Sequence, residues 1–231
     1  MTLKNLAVGV AMVFVAACGG TETDPPTTQT KKLNVEQTVA VTSAAKKLVL
    51  NNTFGAIKVV GEAGRTEIKM TPSLKSSDPD AGNIQVVESN GEMLVQVNNT
   101  SGGTISVEGV VYTPTALYFT VTTSGGALDL SWMVGGGLAN TAAGNCTIDM
   151  ELGASSDLTV NTSNGNIALT LPSATAASLT ASAGGGTLTI AASLNFDGYP
   201  AMGNATGDLN GGGDSSISLT ATGGNITVNG K

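Results

Sequence analysis

The chain has 231 residues, of which 31 are glycine, 41% are apolar, 3% aromatic and 12% charged. A net charge of −7 and a pI near 4.4 exclude nucleic acid as a partner, because phosphate recognition needs clustered Lys and Arg. Histidine is absent and Arg65 is the only arginine, so the commonest general base and metal ligand are missing, and no catalytic residue, cofactor or metal is expected.

The first segment is "MTLKNLAVGVAMVFVAAC", with Lys4 ahead of an apolar run from Leu6 to Ala17. That run suits a signal peptide and is too short for a membrane-spanning helix. It ends in Val15-Ala16-Ala17-Cys18-Gly19, which resembles the lipobox of bacterial lipoproteins, with Val15 where that motif usually has Leu. The resemblance implies cleavage before Cys18, lipid attachment at Cys18 and, from Gly19 in the next position, the outer membrane. Residues 1–17 are then the signal peptide, and 18–32 a lipidated cysteine with a flexible tether containing Pro25-Pro26. With Cys18 lipidated, Cys146 has no disulfide partner and is expected to be a buried, inert thiol.

From residue 33 to 231 the glycines mark a repeat. Gly55, Gly82, Gly103, Gly126, Gly144, Gly165, Gly186 and Gly224 are each followed by apolar residues at plus two and plus four. In five of the eight units a second apolar pair stands at minus seven and minus five, as Leu158 and Val160 do for Gly165. Most spacings lie near 20 residues, the signature of a repeat architecture in which each unit buries its face only by stacking. The primary expectation is an all-β, single-domain parallel β-solenoid, with the two strands of a unit on different walls. The alternative is an antiparallel β-sandwich or meander, in which Asn164-Gly165 closes a hairpin. The solenoid is preferred because the corners vary while the apolar offsets do not. It places Ile167 and Leu169 between Cys146 and Ile148 in one layer and Leu188 and Ile190 in the next. Asn83, Asn145, Asn166 and Asn225, just after their glycines, are expected to form ladders between layers.

The units "SGGALDL", "AAGNCTIDM", "SNGNIALTL", "AGGGTLTI" and "TGGNITV", with "LVLNNTFGAIKVVG" near the start, resemble the "putative adhesin" family of bacterial envelope proteins. The resemblance spans roughly Leu33 to Lys231 and implies a β-helical stack of unassigned molecular function. It carries over no catalytic residue. The segment from Pro72 to Gly91 departs from the pattern.

Two features stand out as candidate chemistry. Asp149 and Glu151 alternate out of one strand, with Asp129 on the same face one layer earlier; the simpler reading is solubilising charge. The stretch from Asn195 to Asp214 interrupts the repeat and carries Phe196 and Tyr199, either as a cap for the stack or as a recognition loop. The expected function is a lipid-anchored cell-envelope protein with a non-catalytic adhesion or binding role toward a glycan or envelope protein. The alternatives are a structural or signalling periplasmic interaction module and a polysaccharide-active β-helix enzyme.

Overall fold

A computed structural model describes residues 28–32, 36–42, 45–74, 82–99 and 107–231. Alternation of apolar and polar residues makes most of them strand. In Ile167–Leu171 the first, third and fifth residues are buried and the two between are half-exposed. The chain begins with β1 (Thr28–Lys32), β2 (Gln37–Ala40), β3 (Lys47–Phe54), β4 (Ile57–Glu62) and β5 (Glu67–Leu74). Next come β6 (Gly82–Ser89), β7 (Glu92–Asn99), β8 (Val107–Pro114), β9 (Tyr118–Gly125) and β10 (Leu128–Gly135). Then follow β11 (Gly137–Thr141), β12 (Cys146–Leu152), β13 (Asp157–Thr162), β14 (Ile167–Leu171) and β15 (Ala177–Ala183). The last are β16 (Leu188–Ile190), β17 (Asp197–Ala201), β18 (Asn204–Leu209), β19 (Ser216–Ala221) and β20 (Ile226–Gly230), with a single 3₁₀ turn at Ala192–Leu194.

The strands form two mixed sheets. The first runs β1-β6-β7-β3-β9-β11-β13-β19-β15-β18-β17, the second β16-β20-β14-β12-β10-β4-β8-β5-β2. Seven strands of each sheet form an unbroken parallel block; antiparallel strands flank the first block on both sides and the second beyond β8. Each parallel strand of the first sheet leads directly into one of the second, so the blocks consist of tiers: β7–β8, β3–β4, β9–β10, β11–β12, β13–β14, β19–β20 and β15–β16. Their inward residues fill one apolar core. Leu48, Phe119, Leu158, Ile217 and Leu179 come from the first sheet; Ile57, Leu128, Cys146, Ile167 and Ile226 come from the second. Burial of this kind is worth roughly 1.5–3 kcal/mol per large side chain, and it explains why the apolar pair recurs.

Asn164-Gly165 does not close the hairpin of the alternative reading, because β13 and β14 lie in different sheets. Two details of the expected stack are corrected. The neighbours of Ile167 and Leu169 are Cys146 and Ile148 on one side, as expected, but Ile226 and Val228 on the other. Leu188 and Ile190 lie one tier further out, against Ile226 and Val228. Gly82 is no corner; it opens β6, which runs antiparallel to β7. Gly103 and Cys18 lie outside the described residues. Thr28–Lys32, read as tether, pairs as β1 with β6.

The corner glycines stack in a column ordered Gly55, Gly126, Gly144, Gly165, Gly224, Gly186. A Cβ on Gly126, Gly144, Gly165, Gly224 or Gly186 would lie 1.9–2.5 Å from the carbonyl oxygen of the preceding glycine. No side chain fits there, which fixes glycine at the corner. Beside the column runs the expected asparagine ladder. The Asn166 backbone N–H donates to Asn145 Oδ1 at 2.9 Å, and the Asn225 N–H to Asn166 Oδ1 at 2.9 Å. The Thr187 N–H then donates to Asn225 Oδ1 at 2.8 Å. Asn83 sits in β6, outside this column. One interruption of the apolar pattern has a direct cause. Gly137 lies beside Phe119, and a Cβ there would come within 2.4 Å of the phenylalanine ring.

Candidate functional site

Three surfaces compete as a site. The first is the outer face of the first sheet. Its five adjacent strands β9, β11, β13, β19 and β15 carry a single charged residue, Asp157. Register places Thr122, Asn140, Asn161, Thr220 and Ser182 in one outward row across them. A second row holds Thr120, Leu138, Thr159, Ser218 and Thr180. Asn161 Nδ2 donates to Asn140 Oδ1 at 2.9 Å, which holds the amides in line. A shallow trough of about 330 Å³ follows the first row. The wall is therefore nearly neutral, and it repeats its hydroxyls and amides about every 4.8 Å, the spacing between paired strands.

The second surface is the outer face of the second sheet, where the carboxylates lie. Asp129 and Asp149 face outward in adjacent tiers, offset by two residues along the strands. Each has a cation: Lys58 Nζ stands 3.3 Å from Asp129, and Lys231 pairs with Asp149. Exposed pairs of this kind contribute little, about 0–1 kcal/mol. Glu151 is exposed, and among the described residues its carboxylate has neither an ion-pair nor a hydrogen-bond partner. Among those residues no group of three or more Asp, Glu or Cys is placed to hold a metal ion.

Trp132 lies on this face and was not singled out as a site residue from the sequence. β10 is bulged between Ser131 and Met133, so Trp132 has no partner in β12 and takes φ +61. Left-handed backbone costs a bulky residue on the order of 1–2 kcal/mol, and bulges re-aim side chains. The indole is consequently turned out of the sheet and is 62% exposed. Regular alternation would have put position 132 indoors. Only the bulge, invisible in the residue pattern, reverses it.

The third surface is the inserted stretch of Asn195 to Asp214. It forms the hairpin β17–β18, and β18 pairs antiparallel with the edge of β15. The two aromatics part company. Phe196 packs against the core, whereas Tyr199 is 88% exposed on β17. Asn210, at φ +49, ties this insertion to the β14–β15 connection, donating through Nδ2 to the carbonyls of Ser173 and Thr175 at 2.8 Å. Cys146 belongs to none of these surfaces. It is fully buried, and burial pushes its thiol up to about 11.

No protein-family model and no curated protein matches the chain. Among solved structures, a "putative cell adhesion protein" from Clostridium sporogenes superposes with a TM-score of 0.61 at 14% identity. The match covers 90% of this chain and 100% of that one. A "putative adhesin" from Bacteroides fragilis matches with a TM-score of 0.35 at 13% identity, over 89% of this chain and 98% of that one. The first likeness establishes a shared fold along nearly the whole chain.

Proposed function

We propose that the chain is a cell-envelope lipoprotein, anchored through Cys18 to the outer membrane, that binds a glycan or envelope protein without turnover. In this reading the stacked tiers are a β-solenoid, and the neutral outer wall of the first sheet is the adhesive surface. That wall carries the proposal: five strands with one charge between them, in a chain of net charge −7, presenting a hydroxyl or amide in every tier. A repeating neutral polymer meets many weak, equivalent contacts there, and avidity compounds them. The name of the Clostridium sporogenes structure supports the same direction.

The test is an array of glycans, matrix proteins and envelope extract probed with the protein. Retention that is lost when Thr122 and Thr220 are both changed to Glu supports the reading; no retention on any material overturns it. Metabolic labelling with a fatty acid, lost in Cys18→Ala, tests the anchor. Protease shaving of intact cells tests surface exposure. A second reading, a structural or signalling module whose partner is another protein, is favoured by Tyr199 and Met202, which stand 88% and 101% exposed around the turn of one hairpin. It expects retention on envelope proteins that is lost in Tyr199→Ala and indifferent to the wall substitutions.

A further inference from the structure

The adhesive wall leaves the surroundings of Trp132 unexplained, and these lie on the other sheet. The Lys231 ammonium sits 5.2 Å from the centroid of the Trp132 ring and is paired with the Asp149 carboxylate. Glu151, whose carboxylate has no partner of its own among the described residues, lines the same concavity of about 290 Å³, together with Thr115 and Val134. The indole face and the Glu151 carboxylate border the hollow, and Asp149 holds the Lys231 ammonium that lies over the ring, which together make a cation-recognising arrangement. The ring quadrupole attracts the charge and the carboxylates balance it. Lys231 demonstrates the fit, because its side chain already holds an ammonium at that place. The chain's net charge of −7 draws cations toward the site and repels anions.

We propose that Trp132, Asp149 and Glu151 form a binding site for a small organic ammonium group, occupied in the free protein by Lys231 as an internal stand-in. The ligand displaces the Lys231 ammonium from the ring, and Glu151 supplies the second carboxylate. Displacement is cheap because both partners of the Lys231–Asp149 pair are more than a third exposed, at 38% and 37%. This site does not rest on the adhesive reading, since it uses neither the neutral wall nor a polymer.

Trp132 is the only tryptophan, so tryptophan emission of the full chain, excited selectively over its three tyrosines, reports on this site alone. The experiment titrates choline and glucosamine, with N-acetylglucosamine as the uncharged control. A saturable change with either ammonium compound is expected, and which of the two acts identifies the ligand as quaternary or primary. Lys231→Ala should tighten binding about 5-fold, the worth of one exposed ion pair. Glu151→Gln with Asp149→Asn should weaken it about 10-fold or more. Lys231→Gln serves the same purpose should the alanine variant be unstable to urea. No saturable response in either Lys231 variant overturns the proposal, and so does an equal response to N-acetylglucosamine.

Discussion

A methyl group on Gly165 would lie 2.0 Å from the carbonyl oxygen of Gly144, which is itself fixed in the next tier. Gly165→Ala should therefore cost at least about 2 kcal/mol by urea denaturation. Gly64→Ala, where φ is +75 but nothing lies within 4 Å, should cost only about 1 kcal/mol. Cys146 gives a second test. Its thiol keeps the proton up to about pH 11, whereas the unfolded chain releases it near 9. The contribution of this thiol is thus unchanged below pH 9 and falls between pH 9 and 11 by up to about 2–3 kcal/mol. Cys146→Val should flatten that limb in pH-dependent denaturation, and the native thiol should resist alkylation at pH 8. These residues were legible because steric exclusion at the corner and burial in the core leave a mark on residue type. Trp132 was not, because a bulge changes where a side chain points without changing the composition around it.

At the scale of elements, the hairpin β17–β18 covers the edge that β15 would otherwise present. Its own outer strand is blunted by Pro200, which lacks an N–H, and by exposed Asp197. Changing Asp197 and Pro200 to Val should convert β17 into a sticky edge. Concentration-dependent association in sedimentation velocity would reveal it, with little change in the urea midpoint. Asn210 acts between elements, and Asn210→Ala should cost about 1–3 kcal/mol by leaving the carbonyls of Ser173 and Thr175 without their donor. The insertion could be read from the broken period. Its hairpin form could not, because Gly198, Gly203 and Gly207 weaken the alternation that marks strands elsewhere. Close backbone approach explains two of them: a Cβ on Gly198 would come within 2.6 Å of the Thr206 oxygen, and one on Gly207 within 2.3 Å of the Asp197 oxygen.

For the molecule as a whole, the repeat predicted what stacks and misjudged the order. Residue spacing reports that units are equivalent, and equivalent units fit any slot equally well. The order is set instead by the connections, above all by the insertion, which carries the chain past β15 and lets it return. As a result β19–β20 lies between β13–β14 and β15–β16 rather than beyond them. Hydrogen exchange should find the amides of β19 and β20 among the slowest in the protein despite their place late in the sequence. Those of β17 should be among the fastest.

The placement of β19–β20 also bears on how the protein is made. β15–β16 precedes β19–β20 in the sequence, so without β19–β20 the five tiers from β7–β8 to β13–β14 and the β15–β16 tier would face each other across a gap one strand wide. Among the described residues, only β19–β20 fills that gap. A copy cut short before Ser216 is left not merely shorter but split, with apolar residues bared on both sides. Such a copy would be conspicuous to proteases that survey exposed apolar surface.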